Sequence, residues 1–285
     1  MVPSPAPLSW CPKRAIVAKV ILVIGVLTVS TTPLTQATTK STRPARRKLA
    51  AVVKPAPTTR PSSRCSKIRI MPLGDSLTAF PDSYRGPLFR NLVSLRLDVD
   101  FVGSASWAPT IGGDADGEGH GGFTIGPDAR LDDRGEKSNL FENLDRWIPA
   151  AKPQIILLTI GTNDIAGGGT WITEAPRKLT ALIKKIRGLA PNAVLVVGDI
   201  PPSIYDPTST NVNKGVNAAA SAAGNADPHD RVVYGDTAKR LLAAGFNAAK
   251  DTIDGVHFSL NGGELFAKAW QPGVEEALNL LPRSC

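Results

Sequence analysis

From Ser66 onward, short apolar runs alternate with stretches of helical periodicity, and few folds accommodate that alternation. One run, QIILLTI at residues 154–160, is almost entirely apolar, which is typical of a strand buried on both faces. Strands that alternate with helices imply right-handed crossovers and a parallel sheet covered by helices on both sides. The sequence therefore predicts an α/β domain over residues 65–285, with a parallel sheet of about five strands.

The elements of this predicted domain can be placed along the chain. The strands are expected at residues 68–73, 99–103, 154–160, 193–198 and 232–234. Apolar residues at helical spacing predict helices within 84–97, 140–148 and 179–189, and a last helix from about Asn261. Pro272 is expected to kink or divide that last helix. The polar, glycine-rich residues 104–137 are predicted to form a long loop.

Three of the predicted strands end in short polar or glycine segments. GDS at 74–76 follows the first strand, Gly103 the second, and GTND at 161–164 the third. In open parallel sheets, sites form beyond the carboxyl ends of the strands, so these segments should meet at one edge. A serine on a tight turn after a buried strand is where a hydrolase presents its nucleophile. Ser76 is therefore the candidate nucleophile.

The segment DGVH at residues 254–257 could supply a base for that serine. An aspartate three residues before a histidine can hold one imidazole nitrogen within a single loop, which leaves the other nitrogen to face a hydroxyl. Each segment alone has an ordinary explanation, since aspartate and serine are common turn residues. The four segments together favour catalysis, with His257 and Asp254 as partners of Ser76.

GDSLT at 74–78, Gly103, GTND and DGVH resemble, in this order, the four blocks of the SGNH hydrolase superfamily, also called GDSL esterases. A closer likeness is to the carbohydrate esterase family 3 acetylxylan esterases, through IMPLGDSLT, YRGPLFRNL, DFVGS, EGHGGFTI and IILLTIGTND. The resemblance implies a flavodoxin-like three-layer α/β/α sandwich, the SGNH hydrolase fold. It also implies hydrolysis of acetyl esters on sugars.

The same resemblance implies a role for each matching residue. Ser76 would be the nucleophile, His257 the general base and then acid, and Asp254 the partner that orients His257. The oxyanion hole would consist of the backbone N–H groups of Ser76 and Gly103 and the side-chain amide of Asn163. Fixed donors of this kind lower the barrier because negative charge concentrates on one oxygen in the tetrahedral intermediate. No cofactor is expected.

The predicted function is a secreted serine esterase that deacetylates a polysaccharide such as acetylxylan. The alternatives are a general SGNH esterase or lipase acting on other short-chain esters, and a polysaccharide-binding relative without activity. The expected partner is an acetylated polysaccharide or a small ester, and the expected state is a monomer.

The glycine-rich residues 112–122 contain alternating acids, Asp114, Asp116 and Glu118, as some calcium loops do. A calcium loop of the EF-hand type needs an acid where Ile125 stands, so no metal site is expected. Glu118 and His120 are instead candidate substrate contacts in a loop that lines the site. Simple solvation of the loop is the alternative.

The amino-terminal residues have the pattern of an export leader. Lys13 and Arg14 precede an apolar run, and Thr35-Gln36-Ala37 offers a cleavage site with small residues, so residues 1–37 are predicted to be a signal peptide. The alternative is an uncleaved membrane anchor. Residues 38–64 are rich in Thr, Pro and Arg and are predicted to be a disordered linker.

The formal charge of +8 is concentrated at the amino-terminal end. Residues 1–69 hold 13 of the 33 Lys and Arg and no acid, so the remaining residues have 20 basic and 25 acidic side chains, a net charge of −5. An acidic domain does not favour nucleic acid as a partner. No membrane association is expected after removal of the leader.

Cysteine usage agrees with export. Cys11 would be removed with the leader, which leaves Cys65 and Cys285 at the two ends of the domain. We predict that they form a disulfide, as is common in secreted proteins. The alternative is two free thiols.

Overall fold

The computed structural model describes residues 67–131, 135–225 and 231–282. The strands are β1 Ile68–Gly74, β2 Val99–Phe101, β3 Ala105–Ser106, β4 Asp116–Gly119, β5 Ile155–Thr159, β6 Val194–Val197 and β7 Val232–Tyr234. The helices are α1 Ser76–Ala79, α2 Arg85–Ser94, α3 Leu140–Ala151, α4 Thr162–Ala166, α5 Thr170–Leu189, α6 Lys214–Gly224, α7 Thr237–Ala243, α8 Ala248–Asp251 and α9 Leu260–Leu280. This order confirms the predicted α/β class.

The strands of the described residues form one sheet in the order β3-β4-β1-β5-β6-β7, with β2 also paired to β1. Every pairing is parallel except that of β3 with β4. β2 and β4 share one edge of β1, since Ile68 pairs with Val99 and Gly74 pairs with Gly119. All five predicted strands are present, and β3 and β4 enlarge the sheet.

β4 lies inside the segment that was predicted to be a loop, and that prediction is wrong for these residues. The sequence of β4, DGEG, has no apolar residue and so lacks the alternation that indicates a strand. Gly119 packs so closely on α1 that a Cβ there would lie 2.5 Å from the backbone nitrogen of Ala79. Close packing of bare backbone therefore holds β4 in the sheet, where apolar side chains would hold an ordinary strand.

Helices cover both faces of the sheet, which confirms the three-layer sandwich. Successive residues of β5 point to opposite faces, so its continuously apolar sequence contributes to both cores. One core contains Leu158 and is covered by α3, α5 and α6; the other contains Leu157 and is covered by α2, α7 and α9. The last helix runs unbroken through Pro272, so the proline does not divide it.

Some sequence predictions concern residues outside the described part of the chain. These are the signal peptide at 1–37, the linker at 38–64, and the disulfide between Cys65 and Cys285. Across residues 67–131, 135–225 and 231–282, no helix combines the length and the apolar character needed to cross a bilayer.

Candidate active site

Ser76 lies at the junction of β1 and α1, where the chain leaves the sheet. Gly74 is required there, because a Cβ would lie 2.2 Å from the carbonyl oxygen of Thr159 on β5. Asp75 then caps α1, its Oδ1 accepting a hydrogen bond from the N–H of Leu77 at 3.0 Å. The junction makes Ser76 the first residue of α1, with 8% of its surface exposed. The hydroxyl is thus held in a defined place at the edge of the sheet.

His257 approaches Ser76 from the loop between α8 and α9. Its Nε2 lies 2.8 Å from Ser76 Oγ, and its Nδ1 lies 2.6 Å from Asp254 Oδ2. An ionised carboxylate only accepts hydrogen bonds, so Nδ1 of a neutral imidazole must carry the proton. Nε2 then presents its lone pair to the hydroxyl, which is the arrangement that general-base activation of a serine needs.

Asp254 is held as an anion by the same loop. Its Oδ1 accepts hydrogen bonds from the backbone N–H groups of Val256 and His257, at 3.0 and 2.8 Å. Partial burial acts to raise the pKa of the Asp254 carboxyl, but the bonds from the His257 ring and from the two backbone groups outweigh it and lower the pKa. The carboxylate can therefore fix the tautomer of His257 at neutral pH.

Phe80 is a residue of the site that sequence reasoning missed. Its ring stacks on the imidazole of His257, with ring centroids 4.4 Å apart and an angle of 19° between the planes. Phe80 follows Ser76 by four positions, and its N–H donates to the Ser76 carbonyl at 2.9 Å. That spacing places both residues on one side of a helical turn, which is the one signal in the sequence SLTAF, and it fits core packing equally well.

The segment after β5 contributes Asn163 and Asp164. The Asn163 Nδ2 donates to the carbonyl of Phe123 at 2.8 Å, and Asp164 Oδ2 accepts from the N–H of Ile125 at 2.9 Å. Both side chains thus hold the stretch of chain that follows β4. One hydrogen of the Asn163 amide is used in this contact, and the other remains available to a ligand.

The stretch after β4 forms a turn at residues 120–123, at the level of the β1–α1 junction. The N–H of His120 donates to the Gly74 carbonyl at 3.0 Å, and the N–H of Phe123 donates to the His120 carbonyl at 3.3 Å. The centre of the turn is Gly121-Gly122, both exposed, with φ of +78° at Gly122. The turn is therefore bonded at one end to the segment that leads to Ser76 and at the other end to Asn163.

The structure does not bring Gly103 to this group. Gly103 lies against β4, where a Cβ would meet the Gly117 carbonyl at 1.9 Å, and it lines an open cavity of about 660 Å³ with Arg69 and Ala151. Gly117 is one position before Glu118, the partner of Leu73 in β1. Gly103 is therefore beside the level of Pro72, two positions before β1 ends at Gly74, and Ser76 lies beyond that end. β2 ends at Phe101, so Gly103 follows a strand that stops short of that edge of the sheet.

The candidate substrate contacts Glu118 and His120 occupy different environments. The Glu118 side chain is fully buried and accepts hydrogen bonds from Ser104, so it cannot contact a substrate as predicted. The prediction failed because a charged residue in a polar, glycine-rich stretch gives no sign of burial. His120 is about one-fifth exposed and lies at the start of the turn, with its Nε2 2.6 Å from Glu118 Oε1.

Two further carboxyls, those of Asp75 and Asp164, are buried on the segments that follow β1 and β5. Burial raises the pKa of Asp75 from 3.8 to about 7, with repulsion from Asp164 adding to the effect. Burial likewise raises the pKa of Asp164 to about 6. Desolvation disfavours the charged form of a carboxyl, so the proton is retained to a higher pH in the folded protein.

These shifts predict how stability depends on pH. Between about pH 4 and 7 the folded chain keeps a proton on Asp75 that the unfolded chain has lost, so stability falls as the pH rises through this range. Asp75→Asn removes this dependence and keeps the cap of α1. We expect the free energy of unfolding of Asp75→Asn, relative to the wild type, to rise by a few kcal/mol from pH 4.5 to pH 8.

Urea denaturation at the two pH values measures that difference. Asp98→Asn, at an exposed position directly before β2, is the matched control and should show no such rise. An equal difference at both pH values for Asp75→Asn would mean that Asp75 is already ionised in the folded protein at pH 4.5.

Metal sites in proteins are built from clustered acidic, histidine and cysteine side chains. Within the described ranges, no group of three or more His, Cys, Asp or Glu is arranged to hold a metal ion. The Asp114 carboxylate instead accepts hydrogen bonds from the N–H groups of Phe101 and Asp116, at 3.1 and 3.0 Å. Its oxygens therefore stabilise the backbone between β2 and β4.

Several known proteins resemble this chain. The profile of the GDSL-like Lipase/Acylhydrolase family matches residues 73–265. A multidomain esterase from Ruminococcus flavefaciens is 29% identical over 236 residues, which are 75% of this chain and 29% of that protein. The chain therefore spans less than a third of the length of this relative.

Two solved structures share the fold. A family 3 carbohydrate esterase from Clostridium thermocellum is 28% identical, with a TM-score of 0.61 over 76% of this chain and 100% of the other. A carbohydrate esterase family 3 structure from Talaromyces cellulolyticus is 23% identical, with a TM-score of 0.58 over 75% of this chain and 100% of the other.

Proposed function

The chain belongs to the GDSL-like lipase/acylhydrolase family, and on that premise we propose that it is a serine esterase that removes acetyl groups from carbohydrate. The observation that carries the proposal is the pair of contacts made by His257, at 2.8 Å to Ser76 Oγ and 2.6 Å to Asp254. This geometry supports proton transfer from the hydroxyl to the imidazole as Ser76 attacks an ester carbonyl.

The proposed reaction proceeds through an acetyl-enzyme. Ser76 Oγ attacks the carbonyl carbon while His257 Nε2 takes its proton, and Asp254 stabilises the imidazolium. The tetrahedral intermediate collapses when His257 donates that proton to the leaving sugar oxygen. A water molecule then attacks the acetyl group with His257 again acting as the base, which releases acetate and restores Ser76.

Three sets of donors are proposed to hold the oxyanion. The N–H of Ser76 lies in the first turn of α1, where backbone N–H groups have no partner within the helix. Asn163 has a second amide hydrogen beyond the one that it donates to Phe123. The third set is proposed to be the N–H groups of the Gly121-Gly122 turn, in the role that was predicted for Gly103; this turn is bonded to Gly74 and to Asn163. Such donors act where negative charge develops on the ester oxygen.

The substrate class is proposed from the relatives. The 28% identical structure is a family 3 carbohydrate esterase, and the chain covers all of it. We propose an acetylated polysaccharide of the xylan type as the substrate. The export leader at 1–37 and the linker at 38–64 belong to the same proposal, because a polymer of this kind is met outside the cell. The bridge between Cys65 and Cys285 would then form in an oxidising compartment.

A panel of esters tests the proposal on the full chain. We expect kcat/KM to be highest for p-nitrophenyl acetate and to fall through butyrate to octanoate, and we expect acetate to be released from acetylated xylan. Discrimination of this kind follows from the loss of transition-state contacts when the acyl group does not fit.

Each other result of the panel has a distinct meaning. A preference for octanoate would indicate a lipase. Hydrolysis of p-nitrophenyl acetate without acetate release from xylan would indicate an esterase for small molecules. No hydrolysis of any ester by the folded protein would leave a binding protein without activity.

A further inference from the structure

A second pair of carboxylate and imidazole lies on the segment next to Ser76, namely Glu118 and His120. Glu118 Oε1 accepts from Ser104 Oγ at 2.7 Å and lies 2.6 Å from His120 Nε2. Its other oxygen, Oε2, accepts from the Ser104 N–H at 2.7 Å. The side chain is fully buried, and a buried carboxylate is costly unless such donors surround it. Both carboxylate oxygens of Glu118 have hydrogen-bond partners, so the Glu118–His120 pair is an integral part of the fold.

The ring of His120 is also held on its faces. It stacks on Trp147 with centroids 4.3 Å apart and 6° between the planes, and on Phe123 at 4.8 Å. Trp147 is buried on α3, so it provides a fixed support. The hydrogen bond to Glu118 and the two stacked rings together leave the imidazole of His120 one orientation.

The turn at residues 120–123 begins at His120, so the fixed side chain of His120 also fixes the start of the turn. The N–H of His120 is bonded to the Gly74 carbonyl, two residues before Ser76. The next residues, Gly121 and Gly122, have no side chains with which to anchor themselves, and glycine loses the most conformational freedom when it is ordered. The position of the turn is therefore set by its flanks, which are His120 on one side and Phe123, bonded to Asn163, on the other.

We propose that the Glu118–His120 pair positions the Gly121-Gly122 turn so that its N–H groups are aimed at the oxyanion. The inference rests on the proposed function, and it makes Glu118 and His120 positioning residues that act through the turn. Preorganised donors lose much of their effect when they are displaced, because a shift of about 1 Å can cost about 100-fold in rate.

Glu118→Gln is the first test, because it keeps the shape of the side chain and removes its charge. We expect kcat for p-nitrophenyl acetate to fall by about 10- to 100-fold, with KM within about twofold of the wild type. Asp116→Asn makes the same chemical change two residues earlier on β4, at an exposed position, and should leave both constants unchanged.

The effect should depend on the state of the oxyanion hole. Asn163→Ala removes one proposed donor and should lower kcat by roughly 10²–10³. In that background we expect Glu118→Gln to cost less than about threefold, because residues that act as a unit are not additive. A merely structural role for Glu118 would lower kcat by the same factor in both backgrounds.

His120→Phe separates the hydrogen bond from the stacking, since phenylalanine can still pack between Phe123 and Trp147. We expect it to lose as much kcat as Glu118→Gln. Full activity of the folded His120→Phe or Glu118→Gln protein would overturn the inference, while inactivity of Ser76→Ala would leave the proposed function in place. If neither variant folds, Ser104→Ala, which removes one hydrogen-bond donor to Glu118, takes their place. Its effect on kcat is then compared between the wild type and Asn163→Ala: a smaller loss in Asn163→Ala supports the inference, and an equal loss overturns it.

Discussion

Ser76→Ala will lower kcat for p-nitrophenyl acetate by about 10⁴-fold or more, to a rate set by binding and the oxyanion donors alone. The substitution removes the atom that lies 2.8 Å from His257 Nε2, and no acetyl-enzyme can then form. Alanine is the best helix former and Ser76 is the first residue of α1, so the fold should be retained. A burst of p-nitrophenol in the wild type, absent from the variant, would identify the missing intermediate.

Ser94→Ala is the matched control for this loss. Ser94 is an exposed serine at the end of α2, where its hydroxyl donates to the Asn91 carbonyl, and its removal should leave kcat unchanged. Residual activity of Ser76→Ala within tenfold of the wild type would mean that another group attacks the ester. In that case the close contact between Ser76 and His257 would have a structural role only.

His257→Ala should lower kcat by a similar factor, because a serine hydroxyl is a weak nucleophile without a base. The variant leaves a space bounded by Phe80, whose ring stacked on the imidazole, and by Asp254, which accepted a hydrogen bond from its Nδ1–H group. Free imidazole fits that space in shape and in hydrogen bonding. We therefore expect added imidazole to restore part of the activity in a saturable manner.

Two further variants test whether the added imidazole replaces the side chain of His257 within the site. Imidazole should not restore Ser76→Ala, in which the base is intact and the nucleophile is missing. The additional change Phe80→Ala should weaken the rescue of His257→Ala, since the stacking surface is then lost. A rescue that is independent of Phe80 would indicate that imidazole attacks the ester directly from solution.

The fold was largely predictable because apolar periodicity records the burial of strands and helices. Residues 154–160 show this well, since a run of apolar residues between polar flanks has few other structures open to it. β4 could not be predicted in this way. Its place in the sheet depends on glycine backbones that pack against α1 and on a buried glutamate, and neither leaves an apolar pattern.

The residues of the site likewise differ in how far the sequence could predict their positions. Ser76, Asn163 and the loop with His257 directly follow or precede regular elements, so their common location at the edge of the sheet could be expected from the topology. The displacement of Gly103 from that edge could not, because it depends on the length and register of β2, which pairs only with the first half of β1. Neither quantity is encoded in a local motif.

Phe80 and the turn at 120–123 show a third kind of limit. A phenylalanine four residues after a serine is compatible with core packing as well as with stacking on an imidazole. The turn is defined by hydrogen bonds to Gly74 and Asn163, which are 46 and 40 residues from the atoms that they bond. Contacts over such separations become visible only in the folded chain.

The loop that carries Asp254 and His257 is closed upon itself. Ile253 N–H bonds to the His257 carbonyl, Thr252 pairs with Phe258, and the Asp254 carboxylate binds both the backbone and the ring of His257. The loop therefore fixes Asp254 and His257 relative to each other, and the rest of the fold has only to set the position of this loop relative to Ser76 on α1. Insertions elsewhere in the chain can change the surroundings of the substrate while the loop with Asp254 and His257 keeps its geometry.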